Sequence, residues 1–182
     1  MKRDPAARVG ALAFLAFLGC IPLANWMIGH VGTVCSPGAP CLIPVAPHLV
    51  APSGVLVAGL ALVLRDVVQR CLGTVWGVLA IAMGTAASVL VAPAQLALAS
   101  GTAFLLSELT DFAVYAPLQR RRLVLAVVAS ASTGLVVDSA VFLWLAFGSL
   151  AYLPGQVVGK LWAEVVSIPF DRLLRRVAPT PT

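Results

Sequence analysis

The chain has 182 residues, of which 60% are hydrophobic and 10% charged, with a mean hydropathy of +1.01. A soluble globular domain carries about 25% charged residues, so this composition excludes that class and specifies an integral membrane protein. The formal charge of +5 invites a nucleic-acid reading, which the placement of the basic residues answers below.

Apolar runs of about 20 residues, the length that crosses a bilayer, fall at 9–29, 50–69, 73–92, 95–118, 123–148 and 155–174. The expected fold is all-α: a single polytopic transmembrane domain over 1–182, with six spans. These leave no stretch for a soluble domain, so the chain is not expected to hydrolyse ATP by itself. Gly155-Gln-Val-Val-Gly159-Lys160-Leu161 is one residue short of a Walker loop, lacks its Ser/Thr and sits in an apolar run, so it is set aside.

The first run has a basic start and an apolar centre, like a signal peptide. Its length and the polar Asn25-Trp26 at its far end, with no small-residue cleavage site, favour a retained span. Pro22 is expected to kink it. Asn25 reads either as a satisfied helix-end residue or as a hydrogen-bonding group at the mouth of a cavity.

Residues 30–49 read as a long loop rich in Pro and Gly. Cys35 and Cys41 flank Ser-Pro-Gly-Ala-Pro, and an outward location permits a disulfide between them; two separate thiols remain the alternative. His30 and His48 are too isolated to argue a metal site. Cys20 and Cys71 lie in a span and on the cytoplasmic side and are expected as thiols.

The second span closes in Arg65-Asp66-Val-Val-Gln69-Arg70, where Asp66 can pair with Arg70 one turn away. The third has no ionisable residue and carries Gly73-xxx-Gly77 and Ala80-xxx-Gly84, spacings that let helices approach closely. Faces of this kind also allow a homodimer. Trp26, Trp76 and Trp144 fall toward span ends, as belt residues do, whereas Trp162 is deeper.

Lys2, Arg3 and Arg8 precede the first span; Arg65 and Arg70 end the second; Arg120, Arg121 and Arg122 follow the fourth; Arg172, Arg175 and Arg176 follow the sixth. The segments between spans one and two, three and four, and five and six contain no Lys or Arg. By the positive-inside rule both termini are cytoplasmic, and Lys160, inside the sixth span, is the exception. The basic balance is therefore an orientation signal with the lipid bilayer as its partner, and no nucleic acid is expected.

Glu108 and Asp111 lie three residues apart in the fourth span, on one helix face with Phe104 and Tyr115. Asp138 falls near the midplane of the fifth span, and Lys160 and Glu164 lie one turn apart in the sixth. An ionised carboxylate at bilayer depth costs about 2.5–3.5 kcal/mol on insertion scales, so such groups turn toward a bundle interior or a wet cavity. Four acids facing one base cannot all be ion-paired. Either some are protonated and serve as helix glue, with Lys160–Glu164 as the one pair, or they line a site for a ligand or ion; intramembrane ionisable groups favour the site. A carboxylate can accept two adjacent N–H bonds from a guanine-like edge, and Phe104, Phe142 or Trp162 can sandwich a flat ring. Amidines, guanidines and amines would satisfy the same atoms.

Several segments, in order along most of the chain, resemble the vitamin-uptake-type membrane proteins known as queuosine precursor transporters. They are Ala-Asn25-Trp-Met; Arg-Asp66-Val-Val-Gln-Arg-Cys-Leu-Gly73; Ser-Glu108-Leu-Thr-Asp111-Phe-Ala-Val-Tyr-Ala-Pro-Leu; Ser132-Thr-Gly-Leu-Val-Val-Asp138-Ser-Ala-Val-Phe142; and Gly-Lys160-Leu-Trp-Ala-Glu164-Val-Val-Ser167-Ile-Pro169-Phe. Glu108 takes the place of a common Gln, Ser167-Ile-Pro169 stands where many members read Asp-Thr-Pro, and Glu164 is an added acid. The resemblance implies uptake of 7-deazaguanine precursors of queuosine across the inner membrane, with no cofactor.

The candidate substrate-binding residues are Asn25, Phe104, Glu108, Asp111, Asp138, Lys160, Trp162 and Glu164. The expected function is import of a purine-like small molecule, with proton coupling left open. The alternatives are a substrate-binding subunit of an ATP-driven vitamin importer and a non-transport membrane scaffold. A membrane enzyme is not expected, because no metal-ligand spacing or nucleophile elbow occurs.

Overall fold

The computed structural model describes residues 5–118 and 122–177, with side chains at 123, 124, 127 and 167–177 left out of the description. Lys2, Arg3, Arg120 and Arg121 lie outside the described residues, as do the side chains of Ser167, Pro169, Arg172, Arg175 and Arg176. Among the described residues six α-helices run antiparallel in sequence order: α1 (Pro5–His30), α2 (Val55–Leu72), α3 (Thr74–Ser88), α4 (Ala94–Leu118), α5 (Leu123–Phe147) and α6 (Leu153–Val177). Between α1 and α2 lies a hairpin of β1 (Leu42–Ala46) and β2 (Leu49–Pro52). It marks one end of the bundle; the junctions of α2 with α3 and of α4 with α5 mark the other.

Length and composition suit Pro5–His30, Ala94–Leu118 and Val128–Phe147 to crossing a membrane. The side chains they turn outward are mostly apolar, among them Leu12, Leu15, Leu98, Leu109, Phe112, Val128 and Trp144. An exterior of this kind is solvated by lipid tails and would aggregate in water.

Punctuation between helices follows backbone chemistry. Gly73 at φ 96° ends α2 and opens α3, donating to Gln69 O and accepting from Trp76 N. Gly148, left-handed at φ 65°, closes α5 by donating to Trp144 O; both positions suit glycine because a Cβ is disfavoured there. The run expected at 73–92 stops as a helix at Ser88, whose hydroxyl donates back to Gly84 O at 3.0 Å. A turn over 89–92 then leads to Pro93, and a residue before proline is pushed out of helical geometry.

The core is built from small residues at crossings and aromatics between them. Phe17, Cys20 and Ile21 of α1 meet Ala61 and Leu62 of α2, Ala80 and Ile81 of α3 and Phe104 of α4. Toward the hairpin end Ile28, Leu96, Ala99, Ala103, Phe142 and Leu143 form a second cluster. The α3 glycines are spent inside the chain: a Cβ on Gly84 would lie 2.6 Å from Ile21 Cδ1, and one on Gly77 2.9 Å from Gln69 Cγ. At the hairpin end a Cβ on Gly54 would lie 2.3 Å from Ala24 O, a backbone atom. Gly54→Ala is therefore expected to destabilise the protein by about 1–3 kcal/mol, the usual penalty for overpacking, read as a lower thermal midpoint in detergent. An unchanged midpoint would show that α1 and α2 part freely at this crossing.

The loop expected over 30–49 carries the hairpin instead. Leu42 pairs with Pro52 and Ala46 with Leu49, and the turn places His48 at φ 61°. Cys35 and Cys41 are joined by a disulfide. Cys41 N donates to Ile28 O and Ser53 N to Cys41 O, both at 2.8 Å, while the Ser53 hydroxyl donates to Met27 O at 2.8 Å. The bridge thereby pins the segment that ties α1 to the start of α2. Replacing both cysteines with serine is expected to lower stability by about 2 kcal/mol and to speed amide exchange at Cys41 and Ser53 selectively. Exchange that stays slow at both amides would show that the hydrogen bonds suffice without the bridge.

Candidate intramembrane binding cavity

A small cavity, with room for about one water molecule, lies in the hairpin half of the bundle. Its walls come from α1, α2, α4, α5 and α6, and most of them are apolar: Ile21, Ala24, Val55, Ala58, Ala61, Ala103 and Phe142. The space is narrow, running between side chains.

Against these walls stand a few polar groups. Lys160, 1% exposed, comes from α6 and Asp138, 3% exposed, from α5; the Lys160 ammonium donates to Asp138 Oδ2 and, at 3.1 Å, to the Ser139 hydroxyl. An ammonium has three N–H donors, so two are placed. Gly59 of α2 makes room for this pair, because a Cβ there would lie 3.0 Å from Lys160 Cα. Asn25 lines the cavity from α1 and accepts a hydrogen bond from Ser100 of α4 at 2.7 Å. Gln156 lines it from the first turn of α6.

Phe104 closes the cavity on the side away from the hairpin, its ring meeting Phe17 edge-on at 5.8 Å between centroids. One turn beyond Ala61 and Phe104 lies a separate charged network. Arg65, buried, donates to Asp66 Oδ1 through Nε at 3.1 Å and Nη2 at 2.7 Å, and its Nη1 lies 2.9 Å from Glu108 Oε2. Gln69 donates to Glu108 Oε1 at 2.5 Å. Glu164 lies within electrostatic reach of Asp66, Arg65 and Lys160. Asp111 packs where α4 approaches α5: a Cβ on Gly134 would lie 3.6 Å from Asp111 Cβ.

The expected single hollow lined by the last three helices is thus two polar sites separated by an apolar layer. Asn25, Phe104, Asp138 and Lys160 come together at the cavity. Glu108, Asp111 and Glu164 are not among its lining residues, and Glu108 belongs to the Arg65 network. Lys160 is held by Asp138 on the next helix, where the helix-glue alternative paired it with Glu164. Trp162 also lies off the cavity, because it faces outward, 53% exposed, and donates its indole N–H to Val45 O of the hairpin at 3.0 Å. The first two helices supply as much wall as the last three. Gln156, Ser100 and Ser139 escaped the sequence reading; the signal at Gln156 was a long amide inside an apolar run.

Beyond the hairpin-side wall, a wider, more open space lies between the disulfide loop, the α3–α4 turn and the end of α5. It shares Asn25 and Ile28 with the cavity, so these two residues stand at the partition between them. Among the described residues no group of His, Cys, Asp and Glu is arranged to hold a metal ion.

No curated protein and no solved structure matches the chain. Residues 54–174, well over half of its length, match the family model described as "Putative vitamin uptake transporter". The match takes in α2 to α5 and most of α6, and with them Asp138, Gln156 and Lys160. With the match covering that much of its length, this chain belongs to the vitamin uptake transporter family.

Proposed function

We propose that the chain spans the inner membrane six times with both termini in the cytoplasm, and imports a purine-like small molecule through the cavity beside Asp138 and Lys160. The 7-deazaguanine precursors of queuosine are the substrates to which its sequence resemblance directs the reading. Support for the orientation comes from Arg8, Arg65, Arg70 and Arg122, which fall toward the helix ends away from the hairpin. The observation that carries the site is the buried Lys160–Asp138 pair on the wall of an otherwise apolar cavity, since ionisable groups at this depth serve substrate or ion pathways.

In this reading the base lies between Phe104 and Phe142. Lys160 holds Oδ2 of Asp138 and leaves Oδ1 to accept a ligand N–H, while the third ammonium proton is directed to a ligand acceptor. The narrow walls part to admit the ring and close behind it, so that the ion pair meets the substrate away from bulk water.

The test is uptake of radiolabelled 7-deazaguanines by proteoliposomes that contain this chain alone. Saturable uptake, outcompeted by excess unlabelled compound and lost in Lys160→Met, is expected. Binding without uptake, restored to uptake by an added ATPase, would turn the reading to a substrate-capturing subunit of an ATP-driven importer. Neither binding nor uptake of any 7-deazaguanine would remove this substrate class.

A further inference from the structure

Two buried side-chain amides on the cavity wall carry an atom without a hydrogen-bond partner among the described residues. Asn25, 2% exposed, uses Oδ1 for the Ser100 hydroxyl and leaves Nδ2 unpartnered; Gln156, also 2% exposed, leaves Oε1 unpartnered. Buried polar atoms are nearly always satisfied, because an orphan forfeits its hydration and receives nothing in return. Here a donor from α1 and an acceptor from α6 are orphaned on the same cavity, in a chain that had apolar residues of similar size at its disposal.

We propose that Asn25 Nδ2 and Gln156 Oε1 form a recognition pair for a neutral, flat ligand of lactam type, one that presents C=O and N–H on adjacent ring atoms. The ligand carbonyl accepts from Asn25 and the ligand N–H donates to Gln156, so each orphan is satisfied by its complement. The proposal rests on the reading that this cavity is the substrate site. Charge agrees with a neutral ligand: Lys160 and Asp138, the ionisable groups on the cavity wall, offset each other, so no net charge remains to hold a cation or an anion. Flatness agrees too, since Phe104 and Phe142 both line the space and offer ring faces for stacking. An Asn25 amide turned by 180° would present an acceptor instead, and the two acceptors would then select a diamino edge. The two orientations therefore call for opposite ligands.

Binding to the purified full chain in nanodiscs separates them. The lactam probes are 7-deazaguanine, uracil and riboflavin; the contrasting probes are 7-deaza-2,6-diaminopurine, pyridoxamine and thiamine. At least one lactam is expected to bind, and 7-deazaguanine, if it is that lactam, to bind more tightly than its diamino analogue. Asn25→Leu and Gln156→Met should each weaken the bound lactam roughly 10- to 100-fold, the effect of removing one partner of a buried hydrogen bond. Gln156→Met without ligand should melt no lower than the parent chain, because the substitution removes an orphan; a purely structural glutamine would lower the melting temperature.

The proposal is overturned if no lactam binds, if the diamino compound binds more tightly than 7-deazaguanine, or if both variants hold the lactam as tightly as the parent. Binding of another lactam but not of 7-deazaguanine would remove the substrate named above and uphold this pair. Lactam binding that is never followed by uptake, with or without an ATPase, would remove the transport reading and likewise uphold the pair.

Discussion

Asp138→Asn is expected to abolish uptake and to destabilise the protein by about 3–5 kcal/mol, the penalty for leaving one member of a buried ion pair without its counter-charge. The magnitude follows from where the lysine sits. Lys160 is 1% exposed, is packed against Gly59 of α2, and among the described residues has only the Ser139 hydroxyl as a second acceptor. An asparagine keeps the shape and an acceptor oxygen but not the charge. The ammonium then stays at depth with two neutral partners, and insertion of the fold suffers with it.

A single variant would mix folding with function, so the decisive measurement is the pair Asp138→Asn and Lys160→Met in one chain. Removing both charges removes the desolvation penalty together with the attraction, and replacing a buried pair by neutral groups is often neutral or stabilising by about 1–4 kcal/mol. The double variant should therefore recover the thermal midpoint of the parent and remain inactive in uptake. Recovery of both would make the pair a structural clamp. Asp111→Asn is the contrast: Asp111 does not line the cavity, is partly exposed and lies within electrostatic reach of Arg65, so its loss should destabilise the protein less than that of Asp138.

How far these roles could be read from the letters differs by residue. Asp138 and Lys160 fall at similar depth when counted along adjacent antiparallel spans, so their meeting was within reach of helix geometry. Their choice of each other over Glu164 was not, because it depends on which face of α6 turns toward α5. The hairpin was obscured by its own composition. Leu42-Ile-Pro-Val-Ala and Leu49-Val-Ala-Pro contain two prolines in nine residues, with Pro47 between them, which demotes a strand reading to loop; prolines are tolerated because this two-stranded ribbon has only edges. Counting apolar letters also placed residues 50–54 in the second span, although they belong to β2 and the turn before α2. The separation of the acids into two sites was hidden for a further reason. Phe104 and Glu108 share a helix face, yet one lines the cavity and the other reaches Arg65 a turn below.

The second large effect is expected at that lower network. Arg65→Met should cost about 3–5 kcal/mol, because Glu108 then keeps only Gln69 among its partners described above and the carboxylate loses its cation. Lysine will not substitute. The guanidinium serves Asp66 through Nε and Nη2 and Glu108 through Nη1 at the same time, a fork that a single ammonium cannot reproduce, so Arg65→Lys should recover less than half of the loss. Neutralising the partner is the better remedy. In a double-mutant cycle, Arg65→Met with Glu108→Gln should be more stable than Arg65→Met alone, with a coupling of about 1–3 kcal/mol between the two positions, since the glutamine can still accept from Gln69 and leaves no orphaned charge. Additive losses would show that Arg65 and Glu108 act independently. The link matters beyond stability, because it ties α2 to α4 one turn below the Phe17–Phe104 contact that closes the cavity. If that tie keeps the apolar layer shut, the buried Cys20 thiol in the same layer should react with a small maleimide several-fold faster in Arg65→Met/Glu108→Gln than in the parent chain. Equal labelling rates at matched stability would confine Arg65 to holding the helices together.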